Sequence, residues 1–101
     1  MNVDRIHNEG RKITSYPFRI YYCEAEESRE PYTVISVPKK LFKRAVKRNL
    51  IRRRIREAIR LTKKDFPAVE GVDLLIVYIS DKILEYDRIK EEIAKILGKI
   101  S

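Results

Sequence analysis

Residues 39–64 restrict the fold of this 101-residue chain more than any other part, because two patterns are superimposed on them. Apolar residues recur at helical spacing. At about 100° per residue, with Ile51 set to zero, Ile55, Ala58, Ile59 and Thr62 lie within about 80° of it. Such a stripe needs a core to pack against. The same 26 residues hold 13 of the chain's 23 Lys and Arg but only one acid, Glu57, and so carry +12. The other 75 residues hold ten bases and 14 acids, a net −4, so the overall +8 conceals a slightly acidic body bearing one cationic helix. That layout suits a polyanion-binding element mounted on a scaffold.

The cations also have a direction. Asn49, Arg52, Arg53, Arg56, Arg60 and Lys63 fall between about 100° and 200° from Ile51, on one exposed arc opposite the apolar stripe. Arg outnumbers Lys there, which favours forked contact with phosphates and stacking on bases. Lys39, Lys40, Lys43, Arg44, Lys47 and Arg48 extend the charge through the entry loop and first turns. A merely solvated face is the plain alternative. Like charges four apart cost a helix roughly 0.2–0.5 kcal/mol per pair, and Glu57 alone offsets them, which weighs against it. About six phosphate contacts would give a log-log salt slope of roughly −4 to −5.

The remaining sequence reads as the scaffold. Met1–Glu9 reads as a short helix with Val3 and Ile6 on one side and Gly10 as its C-terminal cap. A short strand at Arg11–Thr14 precedes a stronger one at Tyr16–Cys23, where Phe18, Ile20 and Tyr22 alternate with Arg19, Tyr21 and Cys23. An acidic connection over 24–31 leads to a strand at 32–37, ended by Pro38. The basic helix then runs to about Lys64. Val72–Ile79 has little alternation and reads as an interior strand covered on both faces, and a closing helix spans about Tyr86–Leu97. This order predicts an α/β sandwich, with the two strands flanking the basic helix paired in parallel.

Several functional classes are disfavoured. The longest apolar run, Leu74–Ile79, is strand-sized and far short of the roughly 20 residues that cross a bilayer. No apolar segment near Met1 resembles a secretory signal, and a single cysteine with a single histidine leaves no zinc-type ligand set. A reduced, cytoplasmic, metal-independent domain over 1–101 is the expectation. No paired His and carboxylate or phosphate-binding glycine loop points to a self-sufficient enzyme. His7 reads as an exposed helix residue, Cys23 as a small core residue, and Asp73 and Asp81 as turn or capping residues.

Ser36–Lys40 (SVPKK), Ala45–Asn49 (AVKRN) and Ile51–Glu57 (IRRRIRE) together resemble the arginine-rich signature of the bacterial ribonuclease P protein family. Gly10 stands eight residues before Phe18, and Phe18-Arg19-Ile20-Tyr21 resembles that family's aromatic strand, so the resemblance covers essentially the whole chain. It departs from the family in that Leu50 stands where a second signature arginine is frequent and Phe42-Lys43 replaces a common glycine with one extra residue. Val3 and His7 occupy positions that are usually aromatic. The abrupt start at Met1 leads to the expectation of an N-terminal truncation or a late start codon.

The resemblance implies an α-β-β-β-α-β-α two-layer sandwich, a four-stranded sheet packed against helices, with a left-handed β-α-β crossover through the basic helix. It also implies an accessory subunit that assists removal of the 5′ leader from precursor tRNA, while the partner RNA holds the catalytic Mg2+ and the protein alone binds none. Its expected partners are ribonuclease P RNA and precursor tRNA, with no membrane and no obligate protein partner. By position, Arg48, Asn49, Arg52, Arg53 and Arg56 would face the catalytic RNA, joined on the same charged surface by Lys39, Lys40, Lys47 and Arg60, while Phe18 and Tyr21 would line the cleft for the single-stranded leader.

Alternatives stay open at this point. A ribosomal or assembly factor could use the same face with no part in cleavage. A major-groove helix is less favoured, because no helix-turn-helix partner precedes it at short spacing. Phe18 and Tyr22 share a parity that could pack in the core, while Tyr21 on the other face could stack on a leader base, a contact worth roughly 1–3 kcal/mol. Parity alone does not say which face meets the helices.

Overall fold

The computed structural model describes residues 3–26 and 30–100. The expected helix start at Met1 and Asn2 and the middle of the 24–31 connection lie outside those residues, as does the Val3 side chain.

Elements follow in the expected order: α1 (Val3–Glu9), β1 (Arg11–Ser15), β2 (Phe18–Glu24), β3 (Thr33–Ser36), α2 (Ala45–Thr62), β4 (Val72–Tyr78) and α3 (Tyr86–Ile100). Two short 3-10 turns, Lys63–Asp65 and Pro67–Gly71, link α2 to β4. The basic helix begins later than its charge run. Leu41 and Phe42 donate their N–H groups to the Pro38 carbonyl, so Lys39 and Lys40 lie in a turn and the α-helix starts at Ala45. The hairpin between β1 and β2 occupies Tyr16 and Pro17, which moves the start of the aromatic strand to Phe18.

The four strands form one sheet in the order β1-β2-β4-β3. β2 lies antiparallel to both β1 and β4, whereas β3 and β4 pair in parallel with α2 connecting them. This is the β-α-β unit to which the family resemblance gives a left hand. The pairing registers Phe18 with Tyr78, Ile20 with Ile76 and Tyr22 with Leu74, which places their side chains on one face. That face meets Ile51, Ile55, Ala58 and Ile59 of α2 and Ile89, Ile93, Ile96 and Leu97 of α3 in one buried cluster. Full burial of each such side chain contributes roughly 1.5–3 kcal/mol, so the stripe on α2 holds the cationic helix in place.

The opposite face of the sheet is covered in part by α1. Ile6 and Leu75 are buried there, and Gly10 closes the helix by donating its N–H to the Ile6 carbonyl at 2.9 Å. A Cβ at Gly10 would run into the carbonyl oxygens of Ile6 and Tyr22, so only glycine lets the chain pass between α1 and β2. With α2 and α3 on one side and α1 on the other, the Leu74–Ile76 stretch of β4 is buried on both faces, as its unbroken apolar run predicts.

Candidate nucleic-acid interface

The buried residues of α2 are Ile51, Ile55, Ala58, Ile59 and Thr62, the same five that the angular count places in one stripe. Turning that stripe inward forces the opposite arc outward. Asn49, Arg53, Arg56 and Arg60 are exposed, while Arg52 and Lys63 are half-exposed. Lys63 sits just beyond the α-helix, in the first 3-10 turn. Arg52 donates to the Asn49 side-chain oxygen at 3.1 Å, which preorganises the two for one ligand. Arg53 and Arg56 make no ion pair among the described residues.

Arg60 is held differently. Its guanidinium donates to both oxygens of Glu57, at 2.5 and 3.2 Å. That hydrogen bond, aided by the charge of Arg60 and opposed by slight desolvation, holds the Glu57 carboxyl below its usual range; the same contact raises Arg60 above its own. The lone acid of the basic segment thus occupies one of the arc's forks.

Lys39, Lys40 and Lys47 are exposed, as expected. Arg48 is half-buried and turned back on the loop before α2, donating to the carbonyls of Phe42 at 2.7 Å and Lys43 at 2.8 Å. It therefore fixes the turn that carries Lys39 and Lys40 against the helix. Arg54, which the periodicity leaves beside the apolar stripe, is likewise structural: it donates to the Leu84 carbonyl at 2.6 Å and ties α2 to the segment before α3.

On the sheet the two aromatic candidates separate. Phe18 is fully buried, its ring 5.8 Å from that of Tyr78 in an edge-on arrangement, so the expectation that it lines a leader cleft is corrected. Its even parity puts it among α2 and α3, where no base can reach the ring. Tyr21 points to the other face, half-exposed, with its ring 4.7 Å from that of exposed His7 on α1. Tyr78 is buried too; burial pushes its hydroxyl up, partly offset by hydrogen bonds with the Leu84 N–H and Ser80.

A contact network without a local sequence signal holds α1 on this face. Asp73, inside β4 and fully buried, accepts from Arg5 at 3.3 Å and from the Tyr32 N–H at 3.1 Å, which corrects its reading as a turn residue. Arg5 also donates to the Glu24 carbonyl at 3.0 Å, approaches the Cys23 sulfur at 3.4 Å and pairs with Glu9 at 3.5 Å. A buried carboxylate is costly unless paired, so this pair clamps α1 to the sheet. Asp81 lies exposed in the bend after β4.

A cationic arc on a core-anchored helix, with an aromatic ring left open on the far side of the sheet, defines a polyanion-binding α/β module. The comparisons narrow that class. The model of the Ribonuclease P family matches residues 2–101. The chain is 32% identical over 106 residues to the ribonuclease P protein component of Porphyromonas gingivalis, spanning 98% of this chain and 77% of that one. Its identity to the Carboxydothermus hydrogenoformans protein component is 37% over 94 residues, spanning 91% and 78%. Among solved structures, the RNase P protein of Staphylococcus aureus superposes with a TM-score of 0.82 at 25% identity, over 99% of this chain and 89% of that one. The Thermotoga maritima protein shares the fold, at a TM-score of 0.84 and 20% identity over 99% and 94%.

The chain belongs to the bacterial ribonuclease P protein family. It is the protein subunit of ribonuclease P, an accessory component of an endoribonuclease that works in tRNA processing and associates with ribonuclease P RNA and its tRNA substrate.

Proposed function

We propose that α2 binds the catalytic RNA while the opposite face of the sheet holds the 5′ leader of precursor tRNA, so that the protein adds affinity and the RNA performs the cleavage. The exposed arc on α2 carries this reading, because its cations are fixed by packing and largely uncompensated. Asn49, Arg52, Arg53, Arg56 and Arg60 would contact RNA phosphates and bases, with Lys39, Lys40 and Lys47 at the helix entry. Arg48 takes part from its anchored position: the loop carbonyls engage Nη1, and the guanidinium carries further N–H donors beyond that nitrogen. Tyr21 is the leader contact, offering a ring on which an unpaired base can stack.

The reaction is phosphodiester hydrolysis, and we assign its Mg2+ to the partner RNA. The protein's own arc does not fit a dication: its one carboxylate is engaged by Arg60 and its neighbours are cations. Among the described residues no group of three His, Cys, Asp or Glu is gathered to hold a metal. The whole chain acts as one RNA-binding domain in the cytoplasm, with no obligate protein partner. Reconstitution with a bacterial ribonuclease P RNA at low magnesium tests the reading. Stimulated 5′-leader removal is expected; binding without stimulation would overturn the assignment of the catalytic RNA to α2 and of the leader to the opposite face.

A further inference from the structure

Asp73 is fully buried in the sheet, and the proposed function gives it no role. Both of its oxygens are engaged: Oδ1 accepts from the Tyr32 N–H at the entry to β3, and Oδ2 from Nη1 of Arg5 on α1. The sheet thereby orients the carboxylate and turns one oxygen towards the helix. Arg5 answers with its whole fork. Nη1 also approaches the Cys23 sulfur, Nη2 donates to the Glu24 carbonyl at 3.0 Å, and Nε faces Glu9 at 3.5 Å and Glu26 at 3.9 Å. At seven residues α1 is well below the roughly 12–15 at which an isolated helix becomes even marginal, so its docking contacts decide where it stands. Ile6 supplies a fully buried apolar anchor, but apolar burial is non-directional and leaves the helix free to turn about it. The hydrogen bonds of Arg5 are directional and stop that rotation. The strand register places Cys23 opposite Asp73 and Tyr21 opposite Leu75, successive pairs on one face about 7 Å apart along the strands. On α1, Arg5 is bonded at the first pair, and His7, two residues on, lies at the second with its ring 4.7 Å from that of Tyr21.

We propose that Asp73, acting through Arg5, is a positioning residue for recognition of the precursor: it fixes where α1 stands over the sheet and touches no RNA itself. This rests on Tyr21 being the leader contact, and it concerns a pair that lies outside that contact. Asp73 is inaccessible, and each of the three guanidinium nitrogens of Arg5 has a protein partner, so the pair acts within the protein. The cationic arc of α2 lies on the far side of the sheet and is held by its own buried stripe. Loosening the clamp should therefore cost discrimination between leader-bearing and mature tRNA while sparing affinity for the catalytic RNA.

The experiment uses the chain reconstituted with a bacterial ribonuclease P RNA and compares precursor with mature tRNA. Arg5→Gln should raise KM for the precursor by about fivefold or more, the low end of ordinary coupling between two sites, with kcat and the affinities for mature tRNA and catalytic RNA unchanged. The log-log salt slope of precursor binding should stay at its wild-type value, because no phosphate contact is removed. Arg5→Lys keeps the charge but loses the fork, and should recover only part of the KM. Asp73→Asn should match Arg5→Gln, and the double variant should be no worse than either, as for one shared interaction. Arg5 is part-exposed, so its variants carry the test even where Asp73→Asn fails to fold. A slope shallower by about 0.7 in Arg5→Gln would make Arg5 a direct phosphate contact and overturn the proposal. A lowered melting temperature with an unchanged preference for precursor would overturn it too, leaving the clamp purely structural. If Tyr21→Ala leaves precursor affinity unchanged, the leader reading itself fails. The positioning role is then judged by the NOE between the His7 and Tyr21 rings, expected in the wild type and lost in Arg5→Gln; its persistence there would sink the proposal separately.

Discussion

The two long helices, α2 and α3, pack side by side on one face of the sheet and bury comparable isoleucine stripes, yet their outer faces differ. On α3, Glu92 lies 3.8 Å from Arg88 and 3.4 Å from Lys95, and acids and bases are interspersed along the exposed side. Its charges largely answer one another, as on an ordinary solvated helix. On α2, Glu57 engages Arg60 and the other cations of the arc have no acid beside them. Equal roles in the core with unequal compensation outside distinguish a helix that only folds from one that folds and binds.

The largest expected effect tests the shared half of that comparison. Ile55→Ala and Ile93→Ala each remove a fully buried side chain from the same cluster. Each should lower unfolding free energy by about 2–5 kcal/mol in urea titrations. A much smaller loss for Ile55 would mean that α2 is not held by its stripe, and the rigid presentation of the arc would fail with it.

Periodicity revealed the stripe because helical spacing is local: five residues within three turns suffice to define a face, and those five are the ones buried. The sheet was legible only up to a choice of side. Alternation separates Phe18 from Tyr21, but which parity meets α2 depends on packing by residues far away in the chain, so parity leaves Phe18 open, the family resemblance puts it in the leader cleft, and the structure puts it in the core. Arg5 and Asp73 are 68 positions apart, and no spacing rule links an acid in β4 to a base in α1. The roles of Arg48 and Arg54 were hidden for a related reason. Charge counts do not show which guanidiniums face carbonyls of neighbouring loops.

The unequal half of the comparison predicts a difference in binding with little in stability. Arg53→Ala/Arg56→Ala should weaken binding to ribonuclease P RNA and make the log-log salt slope shallower by about 1.4–1.8, one phosphate contact per residue. Arg88→Ala/Lys95→Ala on α3 removes the same formal charge and should leave the slope near the wild-type value. Filter binding over a salt series reads both. Equal loss from the two helices would show that net charge, and not its placement, sets the affinity.

Glu57 offers the smallest and most pointed test, because it is the one place where α2 resembles α3. Its folded-state pKa is lowered by the Arg60 hydrogen bond, so the stability it contributes is present above its unfolded pKa and is lost as pH falls through the folded value. Glu57→Gln should therefore flatten the acid limb of the pH–stability curve slightly, as the pair is exposed and screened. The same substitution releases Arg60 to the arc, so at neutral pH binding should tighten and the salt slope should steepen by about 0.7–0.9, one added phosphate contact. In Glu57→Gln/Arg60→Ala the added slope should vanish. If Glu57→Gln left the slope unchanged, Arg60 would already exchange its carboxylate for phosphate at no cost, and the self-compensation that separates the two helices would have no bearing on binding at that position.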